Sequence, residues 1–221
     1  MKARLKELEN AVCDVIQIIK QIPELADTRL SVVGGLALCH YLPAHRPTKN
    51  IDFVTNFPIL GFLRQKLLDH PNSPFIDNKQ ALWYRSPAGR DIQIKMSSQW
   101  LSPHLPDPEH IVYEIPYGQV PYVSLVDLVA FKINSSWSKA SNPMQRRQDA
   151  DDAAALIDLE LAGQPPAQHP ASADEKLKAF ERKVVESLAV RSRQQESLVK
   201  EALSDVHLAL SSVMQTPALE I

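Results

Sequence analysis

Three features of the 221-residue chain could do chemistry together: the Gly34-Gly35 pair, Asp52 and Asp91. The glycines follow the apolar, partly β-branched run from Leu30 to Val33 and lead directly into Leu36–Tyr41. Lacking a Cβ, glycine lets the backbone bend tightly and approach a ligand closely. A helix starting at that bend would offer unpaired N–H groups and a positive dipole end, which suit a phosphate. The plainer reading is a turn that needs positive φ. In an extended segment, residues two apart share a face. Asn50 and Asp52 therefore point one way while Ile51 and Phe53 enter a core. Asp91, Gln93 and Lys95 likewise share a face, with Ile92 and Ile94 on the other. If the two strands are neighbours, Asp52 and Asp91 converge beside the glycine bend. Two carboxylates plus phosphate oxygens are what a magnesium ion requires. The competing reading makes each aspartate a solvated strand residue or a turn cap.

Other chemistries find less to work with. His40, His45, His104 and His110 show neither HExxH nor zinc-finger spacing, and Cys13 and Cys39 form no CxxC pair. His45, in the loop before Asn50, is a candidate pocket residue. Cys39 reads as a small core residue. Asp149 and Asp152 sit one helical turn apart and read as structural partners of Lys132 or Arg146.

The elements that must position these residues follow from periodicity. Leu5, Leu8, Val12, Val15, Ile19 and Ile22 recur at steps of three and four, which predicts an amphipathic helix over 3–22, punctuated by Pro23 and Asp27. Strands are expected at Leu30–Val33 and Ile51–Thr55, with helices at Leu36–Tyr41 and Ile59–Leu68. Ala81–Arg85 and Asp91–Met96 read as a hairpin joined by SPAG. Ile111–Ile115 and Tyr122–Ser124 are candidate edge strands. Ser124 and Asp127 form a capping-box-like start to a helix over Leu125–Ser135, and Arg146–Leu161 is a second helix. GQPPAQHPASA reads as a linker, and 173–213 carry two helical apolar stripes. The expected organisation is a core over 1–124, a helical segment over 125–161 completing it, a linker over 162–172 and a helical tail over 173–221. The surplus apolar stripe in that tail suggests a homodimer.

Composition bounds the remainder. Lys and Arg total 24 against 26 Asp and Glu, a net charge of -2 that argues against a broad nucleic-acid footprint. The 44% apolar share is enough for a core. The apolar stretch from Val123 to Ile133 is broken by Asp127 and Lys132 and is too short to span a membrane. MKARLKELENAV does not read as a signal peptide, and two cysteines give no disulfide framework; a cytoplasmic location is expected.

The order strand, Gly-Gly, helix, Arg-x-Thr-x-Asx-Ile-Asp-Phe, helix, strand with Asp resembles the nucleotidyltransferase fold of the DNA polymerase β superfamily. Its minimal and AbiEii-type members, with uncharacterised fungal relatives, are the nearest in motif. LVDLVAFKINSSW followed by RRQDADDAAALI resembles that group's second element, with Lys132, Asp149 and Asp152 in place and Gln148 where lysine is usual. The resemblance covers about residues 28–160. It implies an α+β fold, a small mixed sheet flanked by helices, here with a C-terminal helical extension. It also implies Mg²⁺ (or Mn²⁺) held by Asn50, Asp52 and Asp91, with Asp52 and Asp91 catalytic. Gly34 and Gly35 would cradle a nucleoside triphosphate, and Arg46, Lys49 and Lys132 would neutralise its phosphates; for Arg46 and Lys49 a surface ion pair is an equal alternative. The implied activity moves a nucleoside monophosphate to an acceptor hydroxyl on RNA, protein or a small molecule. Asparagine at position 50 brings no charge, so the alternative is a catalytically impaired binding or regulatory module on the same fold.

Overall fold

The structure is a computed structural model and describes residues 2–78, 81–101, 105–137 and 142–163, with residue 182. Helix α1 (Lys2–Lys20) buries Leu8, Ala11, Val12, Val15, Ile16 and Ile19 along one stripe. It stops short of Pro23, and Ile22 before that proline is extended, as a residue preceding proline prefers. Strand β1 (Arg29–Val33) runs into α2 (Gly34–Tyr41), and β2 (Ile51–Thr55) is followed by α3 (Leu60–Asp69). Then come β3 (Phe75–Asp77), β4 (Leu82–Arg85), β5 (Asp91–Ser98) and β6 (His110–Ile111). Helices α4 (Leu125–Trp137) and α5 (Pro143–Gly163) complete the described elements.

The six strands form one mixed sheet in the order β3-β4-β5-β2-β1-β6. β2 and β5 pair in parallel and the other neighbours are antiparallel. The fold is therefore α+β, a mixed sheet flanked by five α-helices among the described residues.

Alternation along the strands divides the core between the two faces of the sheet. Leu30, Val32, Ile51, Phe53, Ile92 and Ile94 join α1 and Leu63 and Leu67 of α3 in one cluster. Val33 and Val54 join α2, α4 and Leu156 of α5 in the other. Asp52 is two residues from Val54, so it belongs to the face that α4 and α5 cover. At about 25 cal/mol per Å² of buried apolar surface, these two clusters supply the main drive to fold. Both covering helices have side-chain caps: Ser124 Oγ accepts from the Asp127 amide at 3.1 Å, and Asn142 Oδ1 accepts from that of Gln145 at 2.8 Å. Pro143 follows directly as the first helical residue, where its missing N–H costs nothing.

Several local expectations change. β3 falls where no strand was expected, being too short to show alternation. The edge strand expected at Ile111–Ile115 shrinks to His110–Ile111, followed by a 3₁₀ turn over Val112–Glu114. Tyr122 makes an isolated bridge to Val32 rather than a strand. Residues 164–181 and 183–221, which hold most of the expected linker, the helical tail and the stripe behind the homodimer expectation, lie outside the described residues. Among the described residues no helix is long and apolar enough to cross a membrane.

Candidate functional site

The glycine bend is built around a carboxylate. Gly34 has φ +67°, in the left-handed region, and a Cβ there would stand 2.5 Å from Asp52 Oδ2. A Cβ on Gly35 would stand 2.5 Å from Thr48 Oγ1. The pair therefore lets the start of α2 close onto Asp52 and Thr48, and the Gly35 amide donates to the Asp52 carboxylate. That carboxylate meets the positive end of the helix.

Beside this bend lies a cavity of about 290 Å³. Its floor is the sheet: Asp52 from β2 with Asn50 just before that strand, and Lys95 and Ser97 from β5. Arg46 and Thr48 line it from the loop before β2, Phe131, Lys132 and Ser135 from α4, and Gln145, Gln148 and Asp149 from α5. A larger open cavity of about 780 Å³ between α1 and the β4–β5 turn gathers none of the expected site residues.

Burial pushes the Asp52 carboxyl above its usual range, against the opposing pull of Lys95, Lys132, the Gly35 amide and Arg46. Lys95 is its partner in register across the parallel pair, and the ammonium Nζ sits 3.9 Å from Asp52 Oδ1.

Behind the cavity, Asp152 is the centre of a buried cation cluster. Arg46 grips it with two hydrogen bonds, Nε to Oδ1 at 2.8 Å and Nη2 to Oδ2 at 2.6 Å. Lys132, only 3% exposed, lies 2.6 Å from Asp149 Oδ1 and 2.8 Å from Asp152 Oδ2. His45 Nε2 is 3.2 Å from Asp152 Oδ1. Burial works to raise the Asp152 pKa, but the hydrogen bonds from Arg46 and Lys132 hold it below the usual carboxylate range. The structural pairing expected of Asp149 and Asp152 is present.

The cavity gathers Gly34, Gly35, Arg46, Asn50, Asp52 and Lys132 among the expected residues. Two are not brought in. Asp91 opens β5 four residues before Lys95, about 13 Å along the strand at roughly 3.3 Å per residue. It is exposed and pairs with Arg85 across the hairpin, Nε to Oδ1 at 2.9 Å, which holds its carboxyl below the usual range. The expected convergence of Asp52 and Asp91 fails because the register sets Lys95, not Asp91, beside Asp52. Lys49 is exposed and outside the cavity, its carbonyl accepting from Arg4 Nη2 at 3.3 Å. Lys132 faces the cavity but is already ion-paired twice.

The donor set does not fit a resident metal. Around Asp52 it offers one strand carboxylate, the Asn50 amide oxygen and an ammonium beside that carboxylate, and the other lining carboxylate, Asp149, is taken up by Lys132. Among the described residues no three His, Cys, Asp or Glu side chains gather in a way that could hold a metal ion.

Lys95 and Thr48 were not singled out from the sequence. The two-residue alternation already put Lys95 on the Asp91 face, but the strand register that brings it to Asp52 is not written in either segment.

No protein-family model matches the chain, and no curated protein matches it. A solved structure that it resembles is that of the antibiotic-resistance factor ANT(2'')-Ia, at 13% identity and a TM-score of 0.37, over 91% of this chain and 99% of that one. A likeness at this level assigns neither a family nor an activity.

Proposed function

We propose that the cavity beside Gly34 and Asp52 binds the phosphates of a nucleoside triphosphate, and that the chain is a nucleotidyltransferase-like binding or regulatory module with impaired transfer chemistry. The observation that carries this reading is the register pair Asp52–Lys95 under the glycine bend. Glycines, a helix start and basic side chains around a cavity suit a polyphosphate. One strand carboxylate beside an ammonium is a poor instrument for bracketing attacking and leaving oxygens with two metal ions.

A second reading, nucleotidyl transfer, is favoured by the Asp52 carboxyl itself. Raised by burial and facing the cavity, it is suited to take a proton from an acceptor hydroxyl. The alkoxide would attack the α-phosphate, and pyrophosphate would leave with the electron pair. Titration calorimetry with each of the four ribonucleoside triphosphates tests the first reading, and transfer of an α-³²P label to RNA, protein or cell extract tests the second. Binding without transfer is the expected outcome. Label transfer lost on Asp52→Asn would instead establish the enzyme, and absence of binding by any triphosphate would remove both.

A further inference from the structure

We infer that the Lys95 ammonium is the built-in counter-cation of this pocket, so that a phosphate-bearing ligand enters it without a divalent metal ion. This rests on the phosphate reading above and adds to it the charge logic of the site.

The cations around the cavity are not equivalent. Lys132 is buried between Asp149 and Asp152, and Arg46 is gripped by Asp152 through both Nε and Nη2. Their charge is already answered by protein carboxylates. Lys95 is half exposed, and its ion pair to Asp52 is a loose 3.9 Å contact. Its head can meet an incoming phosphate without breaking a buried network. It also stands where a metal bound to Asp52 would need further oxygen ligands. Mg²⁺ demands near-octahedral oxygen coordination. Here the in-register neighbour of Asp52 is a cation, and Asn50 on the same face brings no charge. A divalent ion at Asp52 would face Lys95 directly, since that ammonium already stands 3.9 Å from the carboxylate. Like charges at such range oppose binding most strongly where water is partly excluded. Ser97, two residues along the same strand face, adds a hydroxyl to the side from which Lys95 reaches the cavity.

Two measurements on the full chain test this. In the first, inorganic triphosphate and ATP are titrated in excess EDTA and in excess Mg²⁺. Affinity should be at least as high in EDTA, and Lys95→Gln should weaken it by about tenfold or more, the scale of one charge-assisted hydrogen bond. Because Lys95 is half exposed, this variant should keep the fold, which its thermal melt checks. In the second, Mn²⁺ is titrated into nucleotide-free protein and followed by electron paramagnetic resonance. The unmodified chain should take up none at this site, and N50D/K95D should gain a bound ion. Triphosphate binding that needs Mg²⁺, or Mn²⁺ uptake by the unmodified chain that disappears in Asp52→Asn, overturns the role of Lys95 and leaves the phosphate reading standing. Failure of any triphosphate to bind in either condition overturns the phosphate reading, and this inference falls with it whatever the Mn²⁺ titration gives.

Discussion

At the scale of single residues, Gly34 is where backbone and site chemistry meet. Its φ of +67° costs a residue with a Cβ roughly 1–2 kcal/mol. The same Cβ would stand 2.5 Å from Asp52 Oδ2, closer than real Cβ contacts come. Gly34→Ala should therefore lower stability by about 1–3 kcal/mol in urea unfolding, strain plus displacement of Asp52, and should abolish triphosphate binding. Gly35→Ala meets Thr48 at both Oγ1 and Cβ, so the loop must give, but Gly35 carries no positive φ and its cost should be smaller. Equal effects at the two positions would contradict this account. Both glycines and Asp52 were legible as a pair of signals in the sequence. Their direct contact was not, because Asp52 lies 17 positions downstream of Gly35.

At the scale of elements, Asp152 joins the loop before β2 to α4 and α5. It accepts from Arg46, Lys132 and His45 and is fully buried. Removing one partner from a buried charged cluster leaves the others uncompensated, typically at about 3–5 kcal/mol. Asp152→Ala should destabilise by that order in urea unfolding. Lys132 keeps Asp149 at 2.6 Å after that change, so adding Lys132→Met should deepen the loss by leaving the buried Asp149 without its cation. A double-mutant cycle with no coupling between the two positions would show that they do not act as one unit. The Gln148 amide, with its oxygen turned to Arg46, adds acceptor contacts at 2.9 and 3.1 Å. A lysine there, as in the resembled motif, would bring an ammonium to the guanidinium. The start of α4 was readable from Ser124 and Asp127, whereas α5 begins at Pro143, three residues before the expected Arg146, behind an Asn142 cap that was not singled out. The resemblance implied that Lys132 meets phosphate, while Asp149 and Asp152, 17 and 20 residues downstream, were read as partners of Lys132 or Arg146; in the structure both pair with Lys132.

At the scale of the whole molecule, α1 is fastened to the sheet layer by long-range polar contacts as well as by its apolar stripe. The Tyr84 hydroxyl of β4 donates to Asp14, and the Tyr122 hydroxyl donates to Glu9 at 3.1 Å. Burial, and then the adjacent Asp14, push the Tyr84 pKa well above its ordinary 10.0. A group whose folded pKa is raised holds its proton when the unfolded chain releases it. Its contribution to stability is intact below the unfolded pKa and is lost as pH rises toward the folded value. Stability should therefore fall above about pH 10, and Tyr84→Phe should flatten that fall in urea melts run across the alkaline range. An unchanged alkaline slope would place the titrating group elsewhere. Asp152 acts with the opposite sign: its depressed pKa contributes stability above the unfolded value of 3.8 that is lost as pH falls through the folded one.

What the sequence determined by itself was local. Period-two alternation set which side of each strand Asn50, Asp52, Asp91 and Lys95 face. Period-3.6 spacing marked α1, Ser124 and Asp127 marked the start of α4, and Gly34-Gly35 marked the bend, because these patterns arise between near neighbours in the chain. The tertiary structure decided which residue of β5 lies beside Asp52. A parallel pair is joined through a long crossover, here α3 and the β3–β4 hairpin, so no short turn constrains its register. Buried Ile51 and Ile94 lie directly opposite each other across that pair, and their register carries Lys95 to Asp52 and leaves Asp91 at the rim with Arg85. A four-residue difference in register separates an acidic metal cradle from a lysine-compensated pocket, and that difference exists only between strands.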